Sequence, residues 1–241
     1  MELHSLESVR LASRDNIVQT YLSLASKVPG TILEATDSRV VSCGPESVGF
    51  TNFSARLNWN TEAEAAEGLA ELAGLPARTS LFVMEGDPGF LTEEFLFSRG
   101  WILRYELAQM TWQGDMDVPS IQVVEALQHQ ERIQASLFMT DQFFPAGSRE
   151  LREAIISATS LAPVGLFTLS QGYQMEAAVM LVTTEGCIGL YNLCVEKRKR
   201  GKRLGGAIVQ WCQARASQAG VPLVLQCSQD LVAFYRGHGF Q

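Results

Sequence analysis

Between Val195 and Ala207 the chain reads VEKRKRGKRLGGA: six Lys or Arg from Lys197 to Arg203, then Leu204 and two glycines, Gly205 and Gly206. The preceding IGLYNLCV has the apolar make-up of a strand. After the basic run, Leu204, Ala207, Ile208, Trp211 and Cys212 fall at i, i+3, i+4, i+7 and i+8, one face of a helix. A strand, a cationic glycine-bearing turn and a helix form an anion site by electrostatics alone. The first N–H groups of a helix have no internal partner and carry partial positive charge, glycine lets a ligand come close, and Lys and Arg supply counter-charge. That combination suits a diphosphate. It is neither of the two familiar phosphate loops. G-x-x-x-x-G-K-[ST] fails because Gly201-Lys202 is followed by Arg203, and G-x-G-x-x-G does not occur at the strand-to-helix position.

A second stretch with chemical content is LVLQCSQDLVAFYRGHGF, residues 223–240. It reads as a strand, a polar loop and a short helix closed by Gly237 or Gly239, with Ser228 in the N-cap position. Taken alone, Tyr235 reads as a helix residue with its ring on the core and its hydroxyl at the rim. Cys194 reads as a buried strand cysteine, because no His or Asp stands near it in the sequence to activate a thiolate. His238 reads as a loop residue, and Trp211 with Leu204 and Ile208 as core.

Together the two stretches resemble the GNAT superfamily of acyl-CoA-dependent N-acyltransferases. GLYNLCVEKRKRGKRLGGAIVQWC is similar to the family's Arg/Gln-x-x-Gly-x-Gly/Ala turn, with Arg200 first and Gly205 last, and LVLQCSQDLVAFYRGHGF is similar to its second fingerprint, with Tyr235 and Gly239-Phe240 in place. The resemblance spans residues 118–241 and implies the GNAT fold, an α/β architecture on a mixed sheet. It implies acetyl-CoA as co-substrate, bound by Leu193, Cys194, Val195, Arg200, Gly201, Lys202, Arg203, Leu204, Gly205, Gly206 and Ser228. It implies direct acyl transfer to an amine, with the oxyanion held by a backbone N–H near Cys194-Val195 and the departing thiolate protonated by Tyr235. An alkylamine arrives as ammonium, pKa about 10.4, so a base is needed; Glu176, Glu125 and a water relay near Tyr191 and Asn192 all remain open for that role.

Three departures from the family pattern stand out. Arg203 takes the place of the loop's middle glycine. Gly189 stands where some members carry a Glu base. The sequence stops one residue after Gly239-Phe240, where the family continues into another strand, so a strand from the N-terminal half or from a second subunit is expected to cover that sheet edge. These departures also keep a second function open, a CoA-binding sensor or interaction module without turnover.

The elements that must position this chemistry come from a chain of 241 residues, 46% hydrophobic, enough for a sizeable core. A net charge of −7 argues against a nucleic-acid partner, since an RNA-contacting module would need more basic surface than one turn. No apolar run approaches the ~20 residues of a membrane span, and MELHSLESVRLASRD lacks the apolar centre of a signal peptide. A cytoplasmic protein is expected, a monomer or homodimer with no membrane partner. The five cysteines show no zinc-ligand spacing and read as reduced core residues. The acceptor is expected to be an amine on a small molecule or on a protein or peptide.

Along the chain, helical periodicity covers residues 5–27, and TILEA and RVVSC form a hairpin about Thr36-Asp37-Ser38. Asn60 or Thr61 caps a helix ending at Gly74; TSLFVME is expected as a strand, Asp87-Pro88 opens a helix through Phe97, and WILRYELAQMTW is expected as a strand. QGDMDVPS, residues 113–120, reads as the linker. Beyond it come the strand IQVVEAL, a helical region over 131–158 interrupted near Pro145-Ala146-Gly147, and the strands GLFTLS, EAAVMLVT and IGLYNLCV. Residues 81–101 and 223–240 share the order strand, loop, helix, Gly-aromatic. The expected organisation is therefore a degenerate GNAT-like lobe over 1–115, an incomplete tandem half, followed by a GNAT domain over 118–241. The acceptor pocket is expected from the helical region after 131, the loop at 143–148 and the N-terminal lobe.

Overall fold

A computed structural model describes residues 5–241. The chain separates into two compact units, one of residues up to 17 with 107–241 and one of residues 18–106, so the division falls within the first helix, α1 (Leu6–Ala25).

In the unit of residues 18–106, strands β1 (Ile32–Ala35), β2 (Val40–Cys43), β3 (Phe53–Ala55) and β4 (Ser80–Leu81) form a sheet in that order, antiparallel except for the parallel pair β3/β4. Helix α2 (Glu62–Ala73) starts where Thr61 Oγ1 accepts the Glu64 N–H and the Glu64 carboxylate accepts the Asn60 N–H. That reciprocal cap satisfies orphan donors at both positions. Leu69, Leu72 and Trp59 pack its buried face, and a Cβ on Gly68 would lie 2.6 Å from the Trp59 ring. A helix-interior glycine is thus needed for the indole to lie flat against the helix.

Two expectations in this unit are corrected. TSLFVME pairs as a strand only over Ser80–Leu81, and the helix opened by Asp87-Pro88 begins later, as α3 (Glu93–Phe97), capped by Thr92 accepting from the Phe95 N–H. Asp87 instead closes a turn by accepting the Met84 N–H at 2.7 Å. An Asp side chain bonding a nearby backbone N–H competes with helix initiation, which explains the delay.

The other unit holds β5 (Ala108–Trp112), β6 (Val123–Glu125), α4 (His129–Phe143), α5 (Arg149–Leu161), β7 (Gly165–Gln171), β8 (Gln174–Thr184), β9 (Cys187–Val195), α6 (Leu204–Ala219), β10 (Leu223–Cys227) and α7 (Gln229–Arg236). Its sheet runs β5-β10-β9-β8-β7-β6, with β9/β10 the parallel pair. Phe167, Val179, Leu181 and Leu190 on one face meet Ile208 and Trp211 of α6, and Tyr235 and Phe240 extend the same core. On the opposite face Val9 and Ala12 of α1 pack on Cys187 and Val224. The helical region is two helices, as the Pro145-Ala146-Gly147 interruption predicts; α4 opens with a capping box between Gln128 and Glu131.

The expectation for the sheet edge is met. β5, from the first 115 residues of the chain, lies antiparallel to β10, with Leu223 opposite Trp112 and Cys227 opposite Ala108. Thr111 and Gln241 exchange two backbone hydrogen bonds of 2.9 Å each. Of WILRYELAQMTW only residues 108–112 form a strand; residues 101–107 are irregular, with Ile102 and Tyr105 exposed. Alternating apolar residues become a strand only where a neighbouring backbone offers hydrogen bonds, and β10 spans five residues.

The two units share an order of elements. β3–α2–β4–α3 and β9–α6–β10–α7 share the order strand, helix, parallel strand, helix. In each, the second residue beyond the last parallel pair has a left-handed backbone: Arg56 (φ 54°) after Ser54, and Asn192 (φ 51°) after Leu190.

Candidate functional site

The register between β9 and β10 ends at Leu190 and Leu225, yet β9 continues to Val195. Along β8, Met180 pairs with Tyr191 and Ala178 with Cys194, so Val179 alone faces Asn192 and Leu193. This is a β-bulge, and Asn192 supplies the positive φ it requires, as Asn does more readily than most residues. Past the bulge the Glu196 N–H donates to the Glu176 carbonyl at 2.8 Å. Antiparallel alternation then turns the N–H and C=O of Val195 away from β8, toward the gap left by β10. The Val195 carbonyl is taken by Arg200 Nε at 3.1 Å, and its N–H is directed into the gap.

The basic turn follows directly. Residues Lys197–Lys199 make a single 3₁₀ turn, capped by the Glu196 carboxylate accepting the Arg198 N–H at 2.9 Å. Lys199 is ion-paired with Glu176, and Arg200 also donates to Gln142 Oε1 of α4 at 3.2 Å. Gly201 (φ 78°) and Arg203 (φ 64°) are both left-handed. Arg203 therefore adopts a backbone that glycine takes freely, at a cost of about 1 kcal/mol for an L-residue.

The first helical bond of α6 runs from the Ala207 N–H to the Arg203 carbonyl, and no side chain caps the helix. Among the described residues the N–H groups of Leu204, Gly205 and Gly206 have no acceptor, in contrast to the self-capped start of α2. Lys197, Arg198, Lys202 and Arg203 are without an ion-pair partner among the described residues. Three converging N–H groups at a positive helix end, ringed by uncommitted cations, fit a diphosphate. The two glycines differ in role. A Cβ on Gly205 would meet only ordinary contacts, whereas one on Gly206 would lie 2.8 Å from His238 Cε1 and 2.9 Å from Nε2.

Tyr235 is 7% exposed, with its ring edge-on to Phe240 at 5.6 Å and to Phe234 at 5.0 Å. Burial, then the neighbouring Cys227 and Cys212 thiols, push its hydroxyl up to about 12. The hydroxyl therefore keeps its proton at neutral pH. Ser228 sits in the N-cap position of α7 with extended backbone, but its hydroxyl makes no cap bond. Cys194 is buried, contacts the Ala178 carbonyl through sulfur at 3.7 Å, and is pushed up to about 12 by desolvation. The structure agrees with a packing role for this thiol. Leu193 and Val195 pack partly buried against the α6 side of the core.

Of the candidate bases, Glu176 is 8% exposed and committed to Lys199, while Glu125 is exposed on β6 beside a groove lined by Glu131, Thr168, Ser170 and Met175. Tyr191 donates its hydroxyl hydrogen to Asn16 Oδ1 at 2.7 Å, and Asn16 Nδ2 donates to the Val182 carbonyl and Thr184 Oγ1 at 2.8 Å each. Asn16 is missing from the sequence reading. Its signal is a stripe of buried polar residues on α1, Ser13, Asn16 and Thr20, at i, i+3 and i+7. Such a stripe marks a helix face that bonds a sheet rather than packing on it by apolar contact alone.

Residues 127–240 match the model of the acetyltransferase (GNAT) family. No curated protein gives a significant match to the sequence. Among solved structures, a GCN5-related N-acetyltransferase from Kribbella flavida superposes with a TM-score of 0.64 at 15% identity, over 95% of this chain and 91% of that one. A functionally unknown conserved protein from Staphylococcus epidermidis ATCC 12228 gives 0.55 at 14% identity, over 88% and 90%. A GCN5-related glucosamine N-acetyltransferase region of a fungal multi-domain GH3 β-N-acetylglucosaminidase gives 0.54 at 13% identity, over 95% of this chain and 35% of that one. At these identities the likeness is one of fold.

Proposed function

We propose, from the match of residues 127–240 to the acetyltransferase (GNAT) family, that the protein transfers an acetyl group directly from acetyl-CoA to an amine. The observation that carries this reading is the open, glycine-lined start of α6 beside the gap where β9 leaves β10. The N–H groups of Leu204, Gly205 and Gly206, with Arg200, Lys202 and Arg203, hold the diphosphate. The Val195 N–H, directed into the gap, stabilises the oxyanion as the amine adds to the thioester carbonyl. On collapse the C–S bond breaks and the new C–N bond remains; Tyr235 gives its proton to the thiolate, and the surplus amine proton leaves to water or a nearby base. Ser228, its hydroxyl uncommitted to the helix cap, contacts the bound co-substrate.

The N-terminal lobe, read as residues 1–115, is in this proposal a degenerate GNAT-like half without a diphosphate site. Thr61 and Glu64 occupy the helix start, and Glu62 and Glu64 place negative charge in its first turn. The acceptor is an amine on a small molecule, peptide or protein, and the setting is cytoplasmic, as a monomer or homodimer. No helix among the described residues is long and apolar enough to cross a membrane.

Isothermal titration with acetyl-CoA, followed by thiol release with a panel of amines, tests the proposal. Failure to bind acetyl-CoA removes it. One observation favours a second reading, a CoA-binding protein without turnover: neither Gly189 nor the ion-paired Glu176 offers a free carboxylate as base. Binding without thiol release across the amine panel selects that reading.

A further inference from the structure

His238 lies between two glycines after α7, and three contacts fix it. Its N–H donates to the Tyr235 carbonyl at 2.9 Å, its carbonyl accepts from Gln213 Nε2 at 2.6 Å, and its ring stands edge-on to Phe234 at 4.9 Å. Gln213 is a fully buried amide on α6. The loop is therefore anchored to the body of the helix whose first turn its side chain touches.

The Cβ that Gly206 lacks would lie 2.9 Å from His238 Nε2 and 2.8 Å from Cε1. The imidazole edge thus lies against the first turn of α6. Neither ring nitrogen has a hydrogen-bond partner among the described residues. Phe234 Cζ is 3.8 Å from the corresponding Cβ position of Gly205, so α7 presents a ring and an imidazole side by side along the glycine pair.

We infer that His238 is a further ligand of the bound diphosphate and that co-substrate binding takes up a proton on its imidazole. This rests on the acetyl-CoA reading above and names a residue to which that reading gives no role. Burial holds the imidazole below its ordinary range in the free protein, and no charged group on α6 or α7 adds to that shift. The titratable residues of those elements nearest in sequence are Tyr235, which keeps its proton, and the exposed Arg203 and Arg236. The imidazole is then neutral at pH 7 when the site is free. An anion beside it favours the charged form and raises its pKa. The complex holds more protons than the free protein between the two values, so affinity rises as pH falls through that window.

The test is isothermal titration of the full chain with acetyl-CoA at pH 8 and pH 6, wild type against His238→Gln. Gln keeps a hydrogen-bonding side chain of similar reach and cannot take up the proton. The comparison with wild type cancels the ionisation of the ligand's own phosphate. The two proteins are expected to bind alike at pH 8, and wild type to bind several-fold more tightly than the variant at pH 6, where part of a shift worth about tenfold per pKa unit is expressed. Equal gains in affinity for both proteins overturn the inference while leaving acetyl-CoA binding intact. No binding by wild type at either pH removes the parent reading and this one with it. NMR titration of the imidazole Cε1–H signals of the wild-type protein gives a readout independent of the variant: one of the three histidines must titrate higher with acetyl-CoA bound. An unmoved set of titration curves overturns the inference.

Discussion

The carboxamide of Asn16 occupies the place that a side chain on Gly189 would need: a Cβ there would lie 2.0 Å from Asn16 Oδ1. A residue of α1, outside the matched domain, thereby accounts for a glycine in the strand at the heart of that domain. A carboxylate side chain at this strand position would have to displace Asn16.

Asn16→Leu is expected to lower stability by about 2 kcal/mol, because it strips hydrogen bonds from the Val182 carbonyl, Thr184 and Tyr191 in a fully buried setting. Gly189→Ala is expected to cost at least as much, since the clash is with an amide held at three points. Urea denaturation measures both. Wild-type stability in either variant contradicts the network described.

Tyr235→Phe is expected to lower turnover by ten- to a hundredfold with acetyl-CoA affinity nearly unchanged, and Arg200→Ala to weaken acetyl-CoA binding with a smaller effect on turnover. The pH dependence follows from sign. A hydroxyl raised to about 12 remains protonated below that value, so Tyr235 contributes no loss of activity between pH 7 and 10. Steady-state kinetics beside titration separates the two roles; equal losses of both parameters in both variants remove the assignments.

Arg203→Gly keeps the left-handed backbone (φ 64°) and is expected to retain acetyl-CoA binding, with weaker salt dependence from the lost cation. Arg203→Pro, which fixes φ near −65°, is expected to abolish binding. Titration across 50–300 mM salt distinguishes them. A proline variant that binds like wild type excludes the turn as the diphosphate site.

Glu176→Gln breaks the pair with Lys199 and is expected to weaken the turn, raising the acetyl-CoA KM several-fold while leaving the shape of the pH–kcat profile unchanged. A collapsed kcat with loss of the acidic limb shows Glu176 acting as the base instead.

Thr111→Pro removes the N–H that bonds the Gln241 carbonyl at 2.9 Å, and is expected to cost about 3 kcal/mol. Thermal unfolding followed by circular dichroism reads the loss. A transition at the wild-type temperature shows that the Thr111–Gln241 pair contributes little to stability.

Several local patterns were legible because each rests on short-range spacing. The helix face from Leu204 to Cys212, the six cations ahead of it, the Pro145 break and the stretch from Tyr235 to Phe240 each span a few turns at most, where periodicity and turn preferences act directly. Strand limits were less legible. TSLFVME and WILRYELAQMTW carry strand composition, but a strand exists only as far as a partner backbone pairs with it, and that pairing is set by distant residues.

By itself the sequence determined an α/β chain with one cationic, glycine-lined helix start and a tyrosine shortly before Gly239-Phe240. Only the tertiary structure decided that Asn16 fills the space over Gly189, that Lys199 consumes Glu176, and that His238 rests against Gly206. Those three pairs are separated in the chain by as few as 23 and as many as 173 positions, counting from Glu176 to Lys199 and from Asn16 to Gly189. Periodicity reports which way a side chain faces on its own element. What it meets there depends on which other element is packed against that face, and the sheet order sets that.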